Sequence, residues 1–138
     1  MAVLILSGRD KVRGVYMIMK GSGSDMVLVA AADMGLRHSL EFMLKSAGFG
    51  VDSHQCTADA FASLNARWAV CAVIDENAVG NWKEAREQFG TFTRPVILLV
   101  SLFRTVPDLP CVTPLMKPFL GEPLIDAVRK ASLGARPK

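Results

Sequence analysis

The chain has 138 residues, enough for one domain and too few for two ordinary ones. Hydrophobic residues make up 51% of it and charged residues 21%, which excludes disorder and implies a sizeable buried core. The net charge is +3, of which +2 falls in residues 1–25, so no basic stripe marks a nucleic-acid surface.

Cys56, Cys71 and Cys111 match no metal-ligand spacing and no disulfide framework, as expected of thiols in a reducing cytoplasm. No apolar run reaches the roughly 20 residues that span a bilayer, and the N-terminus lacks the basic leader and apolar length of a signal peptide. The expectation is a cytoplasmic domain without a membrane or direct nucleic-acid partner.

Residues 1–25 read as an extension closed by a linker, Lys20-Gly21-Ser22-Gly23-Ser24-Asp25. Its apolar runs, 3–6 and 15–19, fit an added hairpin, a docking arm or sequence ahead of a later start. From Met26 the chain alternates apolar runs with amphipathic stretches, the rhythm of a βαβ series. Residues 26–31 read as a strand buried on both faces. Asp33 then caps a helix with Leu36, Leu40, Met43, Leu44 and Ala47 on one face, stopped by Gly48. Residues 50–54 read as an edge strand. Thr57 is expected to cap a second helix with Phe61 and Leu64 inward.

The strand at 70–75 ends in the acidic pair Asp75-Glu76, and a third helix starts near Asn81 with Trp82, Ala85 and Phe89 on its core face. Lys83 and Glu87 can pair on the outer face. Residues 95–100 form the most hydrophobic strand and should be central. A weak strand follows at 111–115, then a helix with Pro123 at its first position, Leu124, Val128 and Ala131 inward, and Gly134 at its end. Only positions 101–110, two of them proline, lie between the last two strands, so that crossover helix is expected to be shortened or missing. The body is then 26–134, with a tail at 135–138.

Ligands of open parallel sheets sit beyond the carboxyl ends of the strands. Those ends carry Ala31-Ala32-Asp33, Asp75-Glu76-Asn77, Ser101 and Lys117-Pro118-Phe119. With Val27-Leu28-Val29 leading to Arg37, Ser39–Leu44 and Gly48-Phe49, this order resembles a response-regulator receiver domain. The stretch from Ser39 to Phe61 is most similar to receivers of the nitrogen-fixation regulator type.

The resemblance implies an α/β fold, a doubly wound five-stranded parallel sheet of flavodoxin-like order 2-1-3-4-5. It implies that Asp75 accepts a phosphoryl group, that Ser101 hydrogen-bonds it, that Lys117 pairs with it and that the Lys117–Pro118 bond is cis. It also implies a Mg²⁺ ion held by two acids at the end of the first strand, with Asp75 and the carbonyl of Asn77.

Here the chain departs from the pattern it resembles. The acid pair aligns with Ala31 and Ala32, leaving Asp75 without the hard oxygen ligands that Mg²⁺ uses. Asp33 is expected to cap a helix, and Glu76 to point away from Asp75. The aromatic that switches rotamer in active receivers aligns with Pro114. His38 and His54 lack convergent partners for a metal role. These departures favour a non-enzymatic pseudo-receiver with a vestigial phosphoacceptor site at Asp75, Ser101 and Lys117. It needs no cofactor and works through protein contacts with a histidine kinase, another regulator or a second copy. The alternative is a receiver phosphorylated on Asp75 by a histidine kinase, with Mg²⁺. A small-molecule or nucleotide site is a third reading, although the first strand is followed by no glycine-rich loop.

Overall fold

The computed structural model describes residues 25–101, 112–117 and 121–135. The expected extension, the 101–110 crossover beyond Ser101, Cys111 and the Lys117–Pro118 bond lie outside the described residues. Five strands, β1 (Met26–Ala30), β2 (Gly50–His54), β3 (Cys71–Asp75), β4 (Val96–Val100) and β5 (Val112–Met116), form one parallel sheet in the order β2-β1-β3-β4-β5. Four α-helices occur among the described residues: α1 (Met34–Ser46), α2 (Thr57–Ala62), α3 (Trp82–Phe92) and α4 (Glu122–Ala135). This is the doubly wound α/β architecture expected from the alternating pattern. No described helix is long and apolar enough to cross a membrane.

Strand side chains alternate between faces, and here both faces are covered. Leu28, Ala72, Ile74, Val96 and Leu98 pack with Ala60 of α2 and with Ala85, Phe89 and Phe92 of α3. Val27, Val29, Val73, Ile97 and Leu99 pack with Leu40 and Leu44 of α1 and with Leu124 and Val128 of α4. Phe61 joins the first layer, its ring edge-on to Phe89 at 5.7 Å and to Phe92 at 5.2 Å.

The helix starts follow from their caps. Asp33 accepts the N–H of Leu36 at 2.7 Å, and Asn81 accepts those of Lys83 and Glu84. Gly48, at φ 98°, supplies the left-handed residue that turns the chain from α1 into β2.

Several expectations need correction. The last strand reaches Met116, one residue past the expected end. Cys56, not Thr57, occupies the N-cap of α2, and the Thr57 hydroxyl donates instead to the Ala78 carbonyl. Leu64 does not face inward: it is 76% exposed. Ser63 ends α2, donates to Asp52 Oδ2 and accepts the N–H of Asn65, so a separate 3-10 turn (Leu64–Arg67) begins out of phase with the helix. Glu122 opens α4, which places Pro123 second, and the helix runs one residue past Gly134. Lys83 and Glu87 make no described ion pair; an exposed pair of this kind gains little in any case.

The Asp52 contact carries a pH signature. Burial pushes its carboxyl pKa up, but hydrogen bonds from Ser63, His54 and Asn65 and the charge of His54 outweigh this and hold it below 3.8. A lowered folded pKa gives stability that is present above the unfolded value and lost as pH falls through the folded one. Asp52→Asn is therefore expected to cost about 1 kcal/mol at neutral pH. In urea melts that deficit should close as the pH is lowered below the ordinary carboxylate range.

Candidate functional site

The carboxyl ends of β1, β3, β4 and β5 converge as the alternation predicts, and they gather two acids and a lysine. Asp75, the last residue of β3, is 1% exposed. Its Oδ1 lies 2.6 Å from Nζ of Lys117, and its Oδ2 accepts the Asn77 N–H at 3.2 Å. The lysine reaches this position because β5 ends beside β4: its own N–H donates to the Val100 carbonyl at 2.9 Å, continuing the ladder past Met116. Asp75 and Lys117, which the sequence placed on separate strand ends, thus form a direct ion pair with a buried anion and a partly exposed cation.

Ser101 is not joined to that pair. Its side chain is exposed, and its backbone N–H donates to Oε2 of Glu76 at 2.7 Å. Glu76 opens a 3-10 turn (Glu76–Ala78) and is itself buried. Its carboxylate takes a different partner from that of Asp75. The burial of Glu76 and its tie to the end of β4 were not foreseen, and nothing local in the sequence signals a contact 25 residues away.

At the end of β1, Ala31 is wholly buried and Ala32 is exposed. The Ala31 carbonyl accepts Arg37 Nη1 at 2.8 Å. Asp33 is exposed and engaged as the cap of α1. The residues here fit Mg²⁺ poorly. The neighbours of Asp75 in the first strand offer it no carboxylate, and an ammonium already contacts its Oδ1. Among the described residues, no three His, Cys, Asp or Glu side chains group as a metal site. Pro114 lies in β5, the edge strand, exposed and with no rotamer to switch.

The remaining candidates lie apart. His54 contacts Asp52 at 3.1 Å, and His38 is exposed on α1. A groove of about 560 Å³ runs between α2 and α3, lined by residues that include Phe61, Phe92 and Arg94, and it contains none of the strand-end residues. Cys56 is half-buried, whereas burial, aided by the charge of Asp25, pushes the Cys71 thiol up to about 12. Since the thiolate is the reactive form, iodoacetamide at pH 8 is expected to label Cys56 in the native protein and Cys71 only after unfolding, as read by peptide mapping.

No family model matches the chain. It is 30% identical to the transcriptional regulator protein FixT of Rhizobium meliloti (strain 1021) over 112 residues, covering 80% of this chain and 95% of that protein. Among solved structures, it is similar to the response regulator StyR (TM-score 0.70, 22% identity, 82% of this chain and 61% of that one). Full-length FixJ from B. japonicum also matches (TM-score 0.65, 24% identity, 84% and 61%), as does a response regulator receiver protein from Sinorhizobium medicae WSM419 (TM-score 0.68, 22% identity, 82% and 98%). The chain therefore spans about three fifths of the length of StyR and FixJ and nearly all of the receiver protein. A sheet of order 2-1-3-4-5, shared with solved response-regulator receivers, and a FixT relative matched over almost its whole length lead to one assignment: this chain has the receiver-domain fold and belongs to the family of the transcriptional regulator protein FixT.

Proposed function

We propose that this receiver domain acts in bacterial two-component signalling through protein contacts, without ordinary Mg²⁺-dependent phosphorylation. The observation that carries the reading is the end of β1: alanines stand at both acid-pair positions, and Arg37 holds the Ala31 carbonyl. Phosphoryl transfer to Asp75 would bring two anions together, and a metal ion ordinarily offsets that repulsion. In this chain Asp75 has Lys117 alone as a described cationic partner, and a second acid, Glu76, is buried next to it in sequence. The domain is then a binding module rather than an enzyme, cytoplasmic, with a histidine kinase, another regulator or a second copy as its partner.

One observation favours the alternative, in which a histidine kinase phosphorylates Asp75: the aspartate and lysine remain paired in the geometry a phosphoacceptor would need. Metal binding separates the two readings. Titration of the labelled protein with Mg²⁺ to millimolar levels is expected to produce no saturable shift in the amides of Asp75, Asn77 or Ala32. A saturable shift confined to those amides would return the domain to the phosphorylatable receivers. Partner binding should likewise survive Asp75→Ala, measured by titration calorimetry with the kinase or regulator that co-purifies.

A further inference from the structure

Asp75 ends β3 and Glu76 follows it, and only Asp75 belongs to the receiver pattern. Glu76 is 5% exposed, a burial that carboxylates rarely reach without being paired or hydrogen-bonded. Its Oε2 accepts the Ser101 N–H at 2.7 Å, a charge-assisted bond stronger than a neutral one. The same peptide is held from its other end, since the Val100 carbonyl accepts the Lys117 N–H at 2.9 Å. Lys117 in turn reaches Asp75, the residue before Glu76. The contacts therefore close a ring: Glu76 to Ser101, Val100 to Lys117, Lys117 to Asp75. The peptide by which the chain leaves β4 is clamped on both its N–H and its C=O.

The geometry points to Glu76 as a positioning residue that fixes the exit of β4 in one state, so that the strand-end surface is set by the chain itself and not by modification of Asp75. This inference rests on the reading of the domain as a constitutive binding module and supplies its regulation. In the receiver resemblance the residue at this strand end responds to a phosphoryl group on the aspartate. Here its amide is already held by an internal carboxylate.

The test is amide hydrogen exchange of the full chain, read by NMR. Glu76→Ala is expected to lower protection at Ser101 by about tenfold or more, leaving Leu98 and Leu99 of β4 unchanged. Glu76→Gln, whose side-chain carbonyl can accept the same bond, should recover most of that protection. Asp75→Asn should leave Ser101 as it is in the parent. Unchanged protection in Glu76→Ala would overturn the inference while leaving the binding-module reading intact. So would an equal loss at Ser101, Leu98 and Leu99 in both Glu76 variants, because that describes general packing. Loss of Ser101 protection in Asp75→Asn would show that the β4 exit follows the aspartate, which overturns the binding-module reading itself.

Discussion

Lys117→Met is expected to cost the fold about 3 kcal/mol, the scale on which removing one member of a buried ion pair destabilises a protein. The cost arises from Asp75. Its side chain is 1% exposed, and without the ammonium it keeps, among the described contacts, the 3.2 Å bond from Asn77 to offset desolvation of its charge. The reverse substitution is expected to be milder. Asp75→Asn leaves behind a lysine whose side chain is 28% exposed and can turn its charge toward water. A pair that is intact gains little net stability, since attraction and desolvation nearly cancel. The two single variants therefore differ by which charge they strand, and urea unfolding at neutral pH should rank Lys117→Met clearly below Asp75→Asn. Equal midpoints would mean that the aspartate is better solvated than its burial indicates.

Much of this fold was legible in the chain because its strands and helices advertise themselves locally. The apolar runs of β1, β3 and β4, the caps at Asp33 and Asn81 and the glycine at Gly48 each act within a few residues. The convergence of Asp75 and Lys117 follows from parallel strands having their carboxyl ends on one side. What failed depends on contacts distant in sequence. Leu64 would face the core if α2 continued, but Ser63 turns to Asp52 of β2, eleven residues away, and the helical phase is lost there. That alanines, Ala31 and Ala32, follow β1 could be read directly, whereas the Arg37 bond that occupies the Ala31 carbonyl could not. Glu76 looked like a spare acid beside a functional one. Its burial depends on an amide supplied by β4, which no local pattern reveals.

The second large effect expected is an all-or-none one. In a receiver with its acid pair, a small phosphodonor such as acetyl phosphate modifies the strand-end aspartate. Here the incoming phosphoryl group would meet Asp75 with its Oδ1 already against Lys117, with Glu76 adjacent in the chain and with no carboxylate from Ala31 or Ala32 to hold a divalent ion. Charge repulsion in a buried site is costly because little solvent screens it. Only the lysine counters that repulsion among the described contacts of Asp75, and engaging the phosphoryl group would draw it away from the carboxylate it now neutralises.

Intact-mass spectrometry after incubation with acetyl phosphate and Mg²⁺, with Asp75→Ala as the control, tests this most directly. Binding without phosphorylation predicts that the folded parent protein keeps its unmodified mass. A phosphoryl adduct on the parent that is absent from Asp75→Ala would contradict it and identify Asp75 as a working phosphoacceptor.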